Sequence, residues 1–311
     1  MHPIGYKPFK YARTSIIPAL LIAGLGLLSA CADRVVELPA LSHTETQLHQ
    51  PGRFVWHDLV TDDLPAAKRF YGSLFGWRFT DFASADFGYS IAWNHGRPIS
   101  GLVAKDTEPP RPANQWLSLL SVEDVDRAVR LAERFGGTVP LMPINAPERG
   151  QFAVIRDPNG APLTVIRTRW GDPEAAEPKE GDWFWNELWT EDIDRAAMFY
   201  RELAGYQLDS LPHESGGEPY LIFKRDGIPR AGVAKQPLTG GRPIWMPYVR
   251  VADLSGTVSR AESLGGKVLI APRPDIRSGT VAVIADPSGA MFGIQQIPSS
   301  QWSRRSDHEN R

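Results

Sequence analysis

From Phe54 onward the chain alternates between two hydrophobic periods. Phe54 to Val60 sets aromatic and β-branched residues in a strand-like run, and Asp62-Asp63 then offers an N-cap for a helix whose apolar positions are Ala67, Phe70, Tyr71 and Leu74. Gly76 stops that helix. Short strands are predicted at Tyr89 to Trp93 and Ile99 to Ala104, divided by the turn-prone Asn94-His95-Gly96. The pattern restarts with a strand at Trp116 to Val122 and a helix with the stripe Val125, Ala128, Val129 and Ala132, ended by Gly136-Gly137. Strands at Phe152 to Arg156 and Leu163 to Arg167 close it, joined by Asp157-Pro158-Asn159-Gly160, where proline presets the first turn angle. The order is strand-helix-strand-strand-strand, performed twice.

That whole arrangement recurs. Trp56 returns as Trp185, Leu59 as Leu188, Thr61 as Thr190, Asp63 as Asp192, and Phe70-Tyr71 as Phe199-Tyr200, each 129 positions on. The same register relates Gly136-Gly137 to Gly265-Gly266, Pro143 to Pro272, and the first hairpin to Asp286-Pro287-Ser288-Gly289. Only the middle slips, where Gly101 corresponds to Gly232. A chain of 311 residues suits two domains, each able to bury a core. They are expected at 52–169 and 181–297, with a polar linker at 170–180 and a polar C-terminal tail at 298–311.

Residues 1–30 do not belong to that fold. Lys7, Lys10 and Arg13 form a positive head, and Ile16 to Leu28 form an apolar run broken by Pro18 and two glycines. The run is shorter than the roughly 20 residues a membrane-spanning helix needs, so it reads as a secretory signal. It ends Leu28-Ser29-Ala30-Cys31, which resembles the lipobox of bacterial lipoproteins and implies cleavage and lipidation at Cys31. Cys31 is the chain's one cysteine, so an intrachain disulfide and a multi-cysteine zinc site are excluded. The expected location is the cell envelope, facing the periplasm or the exterior; Ala32 resembles an outer-membrane sorting preference. Residues 31–51, polar with two prolines, read as the lipidated cysteine and a tether. A net charge of −2 gives no basic field for nucleic acid.

The element order, Asp63-Leu64 ahead of Phe70, the glycine pair and the closing hairpin together resemble the vicinal oxygen chelate superfamily, the glyoxalase, bleomycin-resistance and extradiol dioxygenase group. The Trp-x-x-Leu-x-Thr-x-Asp opening is similar to that of a two-domain subfamily. The resemblance implies an α+β fold in which paired βαβββ modules curl mixed sheets into a cup, with helices outside. It also implies four positions at which the superfamily's metalloenzymes hold one divalent ion. Here those positions fall on Trp56 and Trp185, Gly101 and Gly232, Leu117 and Met246, and Thr164 and Gly293. Indole, glycine and aliphatic groups supply no donor to a cation, and only Thr164 carries one.

The cup is therefore expected to be apolar and aromatic, with no metal and no cofactor, one divalent ion being the alternative. Its ligand-contacting residues are taken to be Trp56, Asp58, Leu117, Leu119 and Thr164 in the first repeat, and Trp185, Glu187, Met246, Tyr248 and Gln295 in the second. The aromatic members serve either a ligand or ordinary core packing. Asp58 and Glu187 either contact a ligand, act as a base, or pair with an arginine at the rim. Strand alternation turns His57 away from the cup, to a structural role; a register shifted by one residue would make it a metal ligand. His95 and His213 fall in loops, and no Ser-His-Asp set, phosphate loop or dinucleotide fingerprint is present. The leading expectation is metal-free binding of a small aromatic or amphipathic molecule at the membrane. The alternatives are a metal-dependent glyoxalase-like lyase or extradiol-type dioxygenase, and an envelope protein with a structural role.

Overall fold

The computed structural model describes residues 36–42, 44–82, 88–105, 113–211 and 220–297. Cys31 with the apolar run before it, His213, and the C-terminal tail lie outside the described residues.

The first repeat runs β1 (Phe54–Thr61), α1 (Leu64–Phe75), β2 (Arg78–Phe82), β3 (Tyr89–Asn94), β4 (Arg97–Ala104), β5 (Gln115–Ser121), α2 (Val125–Arg134), β6 (Thr138–Ala146), β7 (Gly150–Arg156) and β8 (Pro162–Thr168). The second repeats it as β9 (Trp183–Thr190), α3 (Ile193–Ala204), β10 (Gln207–Leu211), β11 (Tyr220–Arg225), β12 (Ile228–Lys235), β13 (Ile244–Val251), α4 (Leu254–Ser263), β14 (Lys267–Ile270), β15 (Val281–Ala285) and β16 (Met291–Gln296). Each repeat forms one mixed eight-stranded sheet, in the orders β2-β3-β4-β1-β5-β8-β7-β6 and β10-β11-β12-β9-β13-β16-β15-β14. The α+β architecture of two tandem domains is the one expected. Strands β2 and β10 carry no alternation signal because each is an edge strand that buries no residue.

Local chemistry sets the helix ends. Asp63 Oδ1 accepts from the Ala66 amide at 2.8 Å and Asp192 Oδ1 from the Arg195 amide at 3.0 Å. Gly76 and Gly205 close α1 and α3 in the left-handed conformation, φ 76° and 69°, which a side chain would resist.

The helices of one repeat pack on those of the other. One core joins α2, β7 and β8 to α3 through Val125, Ala128, Ile155, Phe199 and Tyr200. The second joins α1 to α4, β15 and β16 through Phe70, Tyr71, Ala261, Ile284 and Phe292. Two matched hydrogen-bond relays, one in each core, tie the repeats together. Trp116 Nε1 donates to Tyr71 Oη at 2.8 Å, and Tyr71 Oη donates to Asp286 Oδ2 at 3.0 Å. In the mirror relay Trp245 Nε1 donates to Tyr200 Oη at 2.7 Å, which donates to Asp157 Oδ2 at 3.1 Å. The other oxygen of each aspartate holds its own hairpin, Asp157 Oδ1 accepting from the Asn159 and Ala161 amides and Asp286 Oδ1 from those of Ser288 and Ala290. The closing hairpin of each repeat is thus seated by the tyrosine of the other.

The helix-free face of each sheet curls on itself. Arg149, in the β6–β7 turn at one end of the first sheet, donates from Nη2 to Tyr89 Oη at 2.5 Å, although β3 belongs to the other half of the strand order. One part of the expected tether is corrected here. Residues 36–42 do not trail free, because Leu38 and Leu41 are 6% and 4% exposed and pack into the first concavity. Apolar burial outweighs the cost of ordering these few residues.

The relays predict the stability of the whole. Tyr200→Phe leaves a buried carboxylate oxygen and the Trp245 indole N–H unpartnered, and should cost roughly 1–3 kcal/mol. Denaturant unfolding checks this, with Tyr71→Phe giving a similar loss through Asp286 and Trp116.

Candidate functional site

Strand alternation decides which side chains reach the concavities. In the first domain Trp56 and Asp58 share the concave face of β1, with Leu119 and Leu117 opposite them on β5 and Thr164 opposite Leu119 on β8. Trp56 packs with Leu119 and Ile166. In the second domain Trp185 and Glu187 stand opposite Tyr248 and Met246 of β13, and Gly293 lies beside Tyr248. Trp185, Tyr248 and Met246 join Trp189, Ile244, Val281 and Val283 in one apolar cluster.

Each floor carries one carboxylate, and its partners are built in. Asp58 Oδ1 accepts from Trp56 Nε1 and from Tyr89 Oη, both at 2.9 Å, and Oδ2 accepts from Arg149 Nη1 at 3.0 Å. Glu187 Oε1 accepts from Trp189 Nε1 at 2.7 Å and Tyr248 Oη at 3.1 Å, while Oε2 accepts from Tyr220 Oη and Arg277 Nη2. Trp185 Nε1 donates to Tyr220 Oη at 3.1 Å, and Gln295 Oε1 accepts from Arg277 Nη1 at 3.1 Å. Both guanidiniums also lie over aromatic faces, Arg149 over Tyr89 at 5.0 Å and Arg277 over Tyr220 and Tyr248 at 4.6 and 5.1 Å.

Burial pulls the pKa of both arginines down, but the oxygens around them outweigh it and hold both above the ordinary value, so each remains charged. Burial pushes the phenols of Tyr89, Tyr220 and Tyr248 upward, so they donate rather than ionise. Both carboxylates pair with an arginine, as one expectation had it, but not at an exposed rim, the Asp58 and Glu187 side chains being 14% and 7% exposed. Arg149 is 2% exposed, because the guanidinium enters from a turn that folds over the sheet.

Tyr89, Tyr220, Arg149, Arg277 and Trp189 were not among the expected site residues. The tyrosines were detectable, since they keep the same spacing as Gly101 and Gly232. Arg149 and Arg277 are 128 apart, one residue off the main register, and both stand in turns. Arg277 and Ser278 adopt left-handed backbone, φ 45° and 54°, a conformation that side chains other than glycine take at a cost.

The residues do not fit the divalent metal that the fold family implies. The four ligand positions offer Thr164 as their one oxygen or nitrogen side-chain donor, and Met246 adds only a soft thioether. At Gly101 a Cβ would overlap the Tyr89 hydroxyl and the Asp58 carboxylate, and at Gly232 it would overlap the Tyr220 hydroxyl. A donor side chain at either position has no room, because the tyrosine and carboxylate fill it. Among the described residues no group of three or more His, Cys, Asp or Glu gathers at one point.

His57 lies on the other face of β1. Its Nε2 meets Asn186 Oδ1 at 3.1 Å, Asn186 Oδ1 also accepts from Ser118 Oγ at 2.8 Å, and the imidazole packs at a tilt of 33° on Trp183, 4.8 Å between ring centres. It joins the two repeats. His95 is exposed at a turn, with Nε2 3.1 Å from the Glu180 carbonyl.

Comparison with known proteins agrees with this architecture. Residues 41–165 match the family described as "Glyoxalase/Bleomycin resistance protein/Dioxygenase superfamily", and residues 183–294 match "Glyoxalase-like domain". The chain belongs to this superfamily. It is 30% identical over 242 residues to "Putative glyoxylase CFP32" of Mycobacterium tuberculosis, covering 77% of this chain and 92% of the relative. It is 31% identical over 263 residues to "Anthracycline biosynthesis protein DauV" of a Streptomyces species, covering 79% and 94%. In three dimensions it is similar to the Mn(II)-bound glyoxalase of Novosphingobium aromaticivorans, with TM-score 0.54, 15% identity and coverage of 80% and 83%. The homoprotocatechuate 2,3-dioxygenase of Arthrobacter globiformis gives TM-score 0.54 at 14% identity, covering 82% and 84%. At such identities the structures share the fold and nothing more is carried over.

The His57 contact has a pH signature. Burial lowers its pKa from 6.5 to about 4, partly opposed by the Asn186 bond. The unfolded chain therefore takes up a proton near pH 6.5 while the folded one does not, so stability is full above that pH and falls as pH drops toward about 4. The His57 share of that loss is about 3 kcal/mol. Denaturant titrations at pH 7 and pH 4 should show His57→Gln losing less stability than the native chain by that amount.

Proposed function

We propose that this protein binds a small aromatic or amphipathic molecule in the concavity of its second domain, without a metal ion, while held at the cell envelope by a lipid on Cys31. The observation that carries the binding reading is the charged guanidinium of Arg277 against Glu187, set among Trp185, Trp189, Tyr220 and Tyr248. Aromatic walls with a few placed polar groups suit a small organic ligand. The Arg277 side chain is 20% exposed, so part of its donor set remains open to an acceptor on that ligand.

The carboxylates do not suit general-base catalysis. Glu187 already accepts from four donors and Asp58 from three, so removing a substrate proton would first require breaking an ion pair. A glyoxalase-like lyase or an extradiol dioxygenase would in addition need oxygen or imidazole metal donors that Trp56, Gly101 and Leu117, or Trp185, Gly232, Met246 and Gly293, cannot provide. The anchoring reading rests on the charged head, the short apolar run and Leu28-Ser29-Ala30-Cys31.

Two measurements test the proposal. Metal analysis of the purified protein should find no stoichiometric Mn, Fe, Ni or Zn, and a thermal-shift screen of aromatic compounds should yield a binder whose stabilisation at a hundredfold excess over Kd is about 2.7 kcal/mol. Arg277→Met should weaken that binder by about tenfold or more, the usual order for one charged hydrogen bond. Stoichiometric metal that is lost on substituting Asp58 or Glu187 would overturn the reading, and an inert screen would favour a structural role. Separately, Cys31→Ser should move the protein from the membrane fraction to the soluble one; unchanged membrane retention would sink the anchoring reading.

A further inference from the structure

The two concavities are not equivalent, and the first already holds an occupant. Leu41 packs among Trp56, Leu119, Ile166, Ile91 and Phe152, and Leu38 packs beside Tyr89, Ala146 and Phe152. Between the two leucines, the carbonyl of Pro39 accepts from Arg149 Nε at 3.1 Å. Arg149 is the arginine that holds Asp58, and it is buried. The segment therefore uses both apolar wall and polar floor of the first concavity, as a ligand would. Nothing comparable follows from the repeat: the second domain places Tyr248 and Gln295 where the first has Leu119 and Ile166.

The leash behind the segment is short and fixed. Gln47 N donates to the Trp170 carbonyl at 2.9 Å, Asp172 N to the Leu48 carbonyl at 2.8 Å, and Gln50 N to Asp172 Oδ2 at 2.7 Å. His49 Nε2 lies 2.9 Å from the Thr168 carbonyl. These bonds pin residues 47–50 to the end of β8 and the chain just after it, within a few residues of Leu41.

We infer that the first concavity is a second ligand site, for an amphipathic molecule bearing an acceptor oxygen between two branched apolar groups, and that residues 36–41 occupy it as a displaceable internal competitor. The chemistry of the occupant defines the chemistry of the ligand: Leu38 and Leu41 mark the apolar subsites and the Pro39 carbonyl marks the acceptor that Arg149 reads. The inference rests on the reading of these concavities as metal-free binding sites. While the segment is seated, an external ligand meets only the small fraction of open molecules, and its apparent affinity falls by that fraction.

The probe is 1-anilinonaphthalene-8-sulfonate, which carries aromatic rings and acceptor oxygens. The purified Leu38→Ser, Leu41→Ser double variant should bind one more dye per chain than the native protein, about tenfold tighter or better. The acetylated peptide of residues 37–42 should displace that dye, and adding Arg149→Met should weaken the peptide. A folded double variant, with native circular dichroism and a cooperative melt, that takes up no further dye overturns the inference. Should the double variant not fold, the native chain decides: chymotrypsin should cut after Leu41 roughly a hundredfold more slowly than in the free peptide, because only the open fraction is cleaved. Cleavage at the rate of the peptide rejects the occupied site. Arg277→Met should weaken dye held in the second domain while the additional dye and the cleavage after Leu41 report the first concavity alone, so failure here and failure of the second-domain reading are told apart.

Discussion

A guanidinium buried against a carboxylate sets the terms for everything in the two concavities. Taking either charge out of water costs several kcal/mol, and the pair persists only where further hydrogen bonds fill the remaining lone pairs and protons. Each domain meets that condition with tyrosine and tryptophan: Trp56 and Tyr89 complete Asp58, and Trp189, Tyr220 and Tyr248 complete Glu187. The same arrangement narrows the possible chemistry. A divalent cation would compete with the guanidinium for one carboxylate, and two cations a few ångströms apart in a poorly solvated cavity repel strongly. The arginine thus neutralises the carboxylate from within the protein and supplies no coordination site of its own.

Duplication explains how this floor is held in place. Each sheet is covered by its own helices, and those helices pack against the helices of the other repeat in shared cores, so neither repeat completes its core alone. The tyrosine-to-aspartate bonds run in both directions across that seam, and the His57–Asn186–Ser118 contact lies on the same side of β1. With the outer faces fixed by this mutual packing, the concave faces are free to diverge. They have done so at single positions, Tyr248 for Leu119, Gln295 for Ile166 and Glu187 for Asp58, which makes the second floor the more polar of the two.

The fold was legible because it is written in short-range pattern and then written again. Alternation on β1 was enough to turn Trp56 and Asp58 one way and His57 the other, and the Asp-Pro-x-Gly hairpins marked the ends of both domains. What could not be read were contacts between places far apart in sequence. Arg149 reaches Tyr89 from 60 residues away and Arg277 reaches Glu187 from 90, both from turns whose path depends on how far the sheet curls. Leu38 and Leu41 stand in a polar stretch with no period, where composition alone indicates a linker. Their burial is decided by the hollow they meet, not by their neighbours in the chain.

That hollow is filled from a tether, and tethering changes the arithmetic of occupancy. A segment on a short flexible leash is present at an effective concentration in the millimolar range, so even a weak intrinsic affinity keeps it seated. Here the leash is pinned by the bonds of residues 47–50, which removes most of the slack such an estimate assumes. The occupant can therefore be modest in its contacts, two leucines and one carbonyl, and still close the site to weak competitors. A molecule that displaces it must offer more than those three contacts or be abundant. The second floor, with Arg277 partly open, meets Leu238 of the β12–β13 loop at its apolar cluster but no segment from the N-terminal tether. Two domains of one ancestry thus differ less in wall chemistry than in what each must release before it can bind.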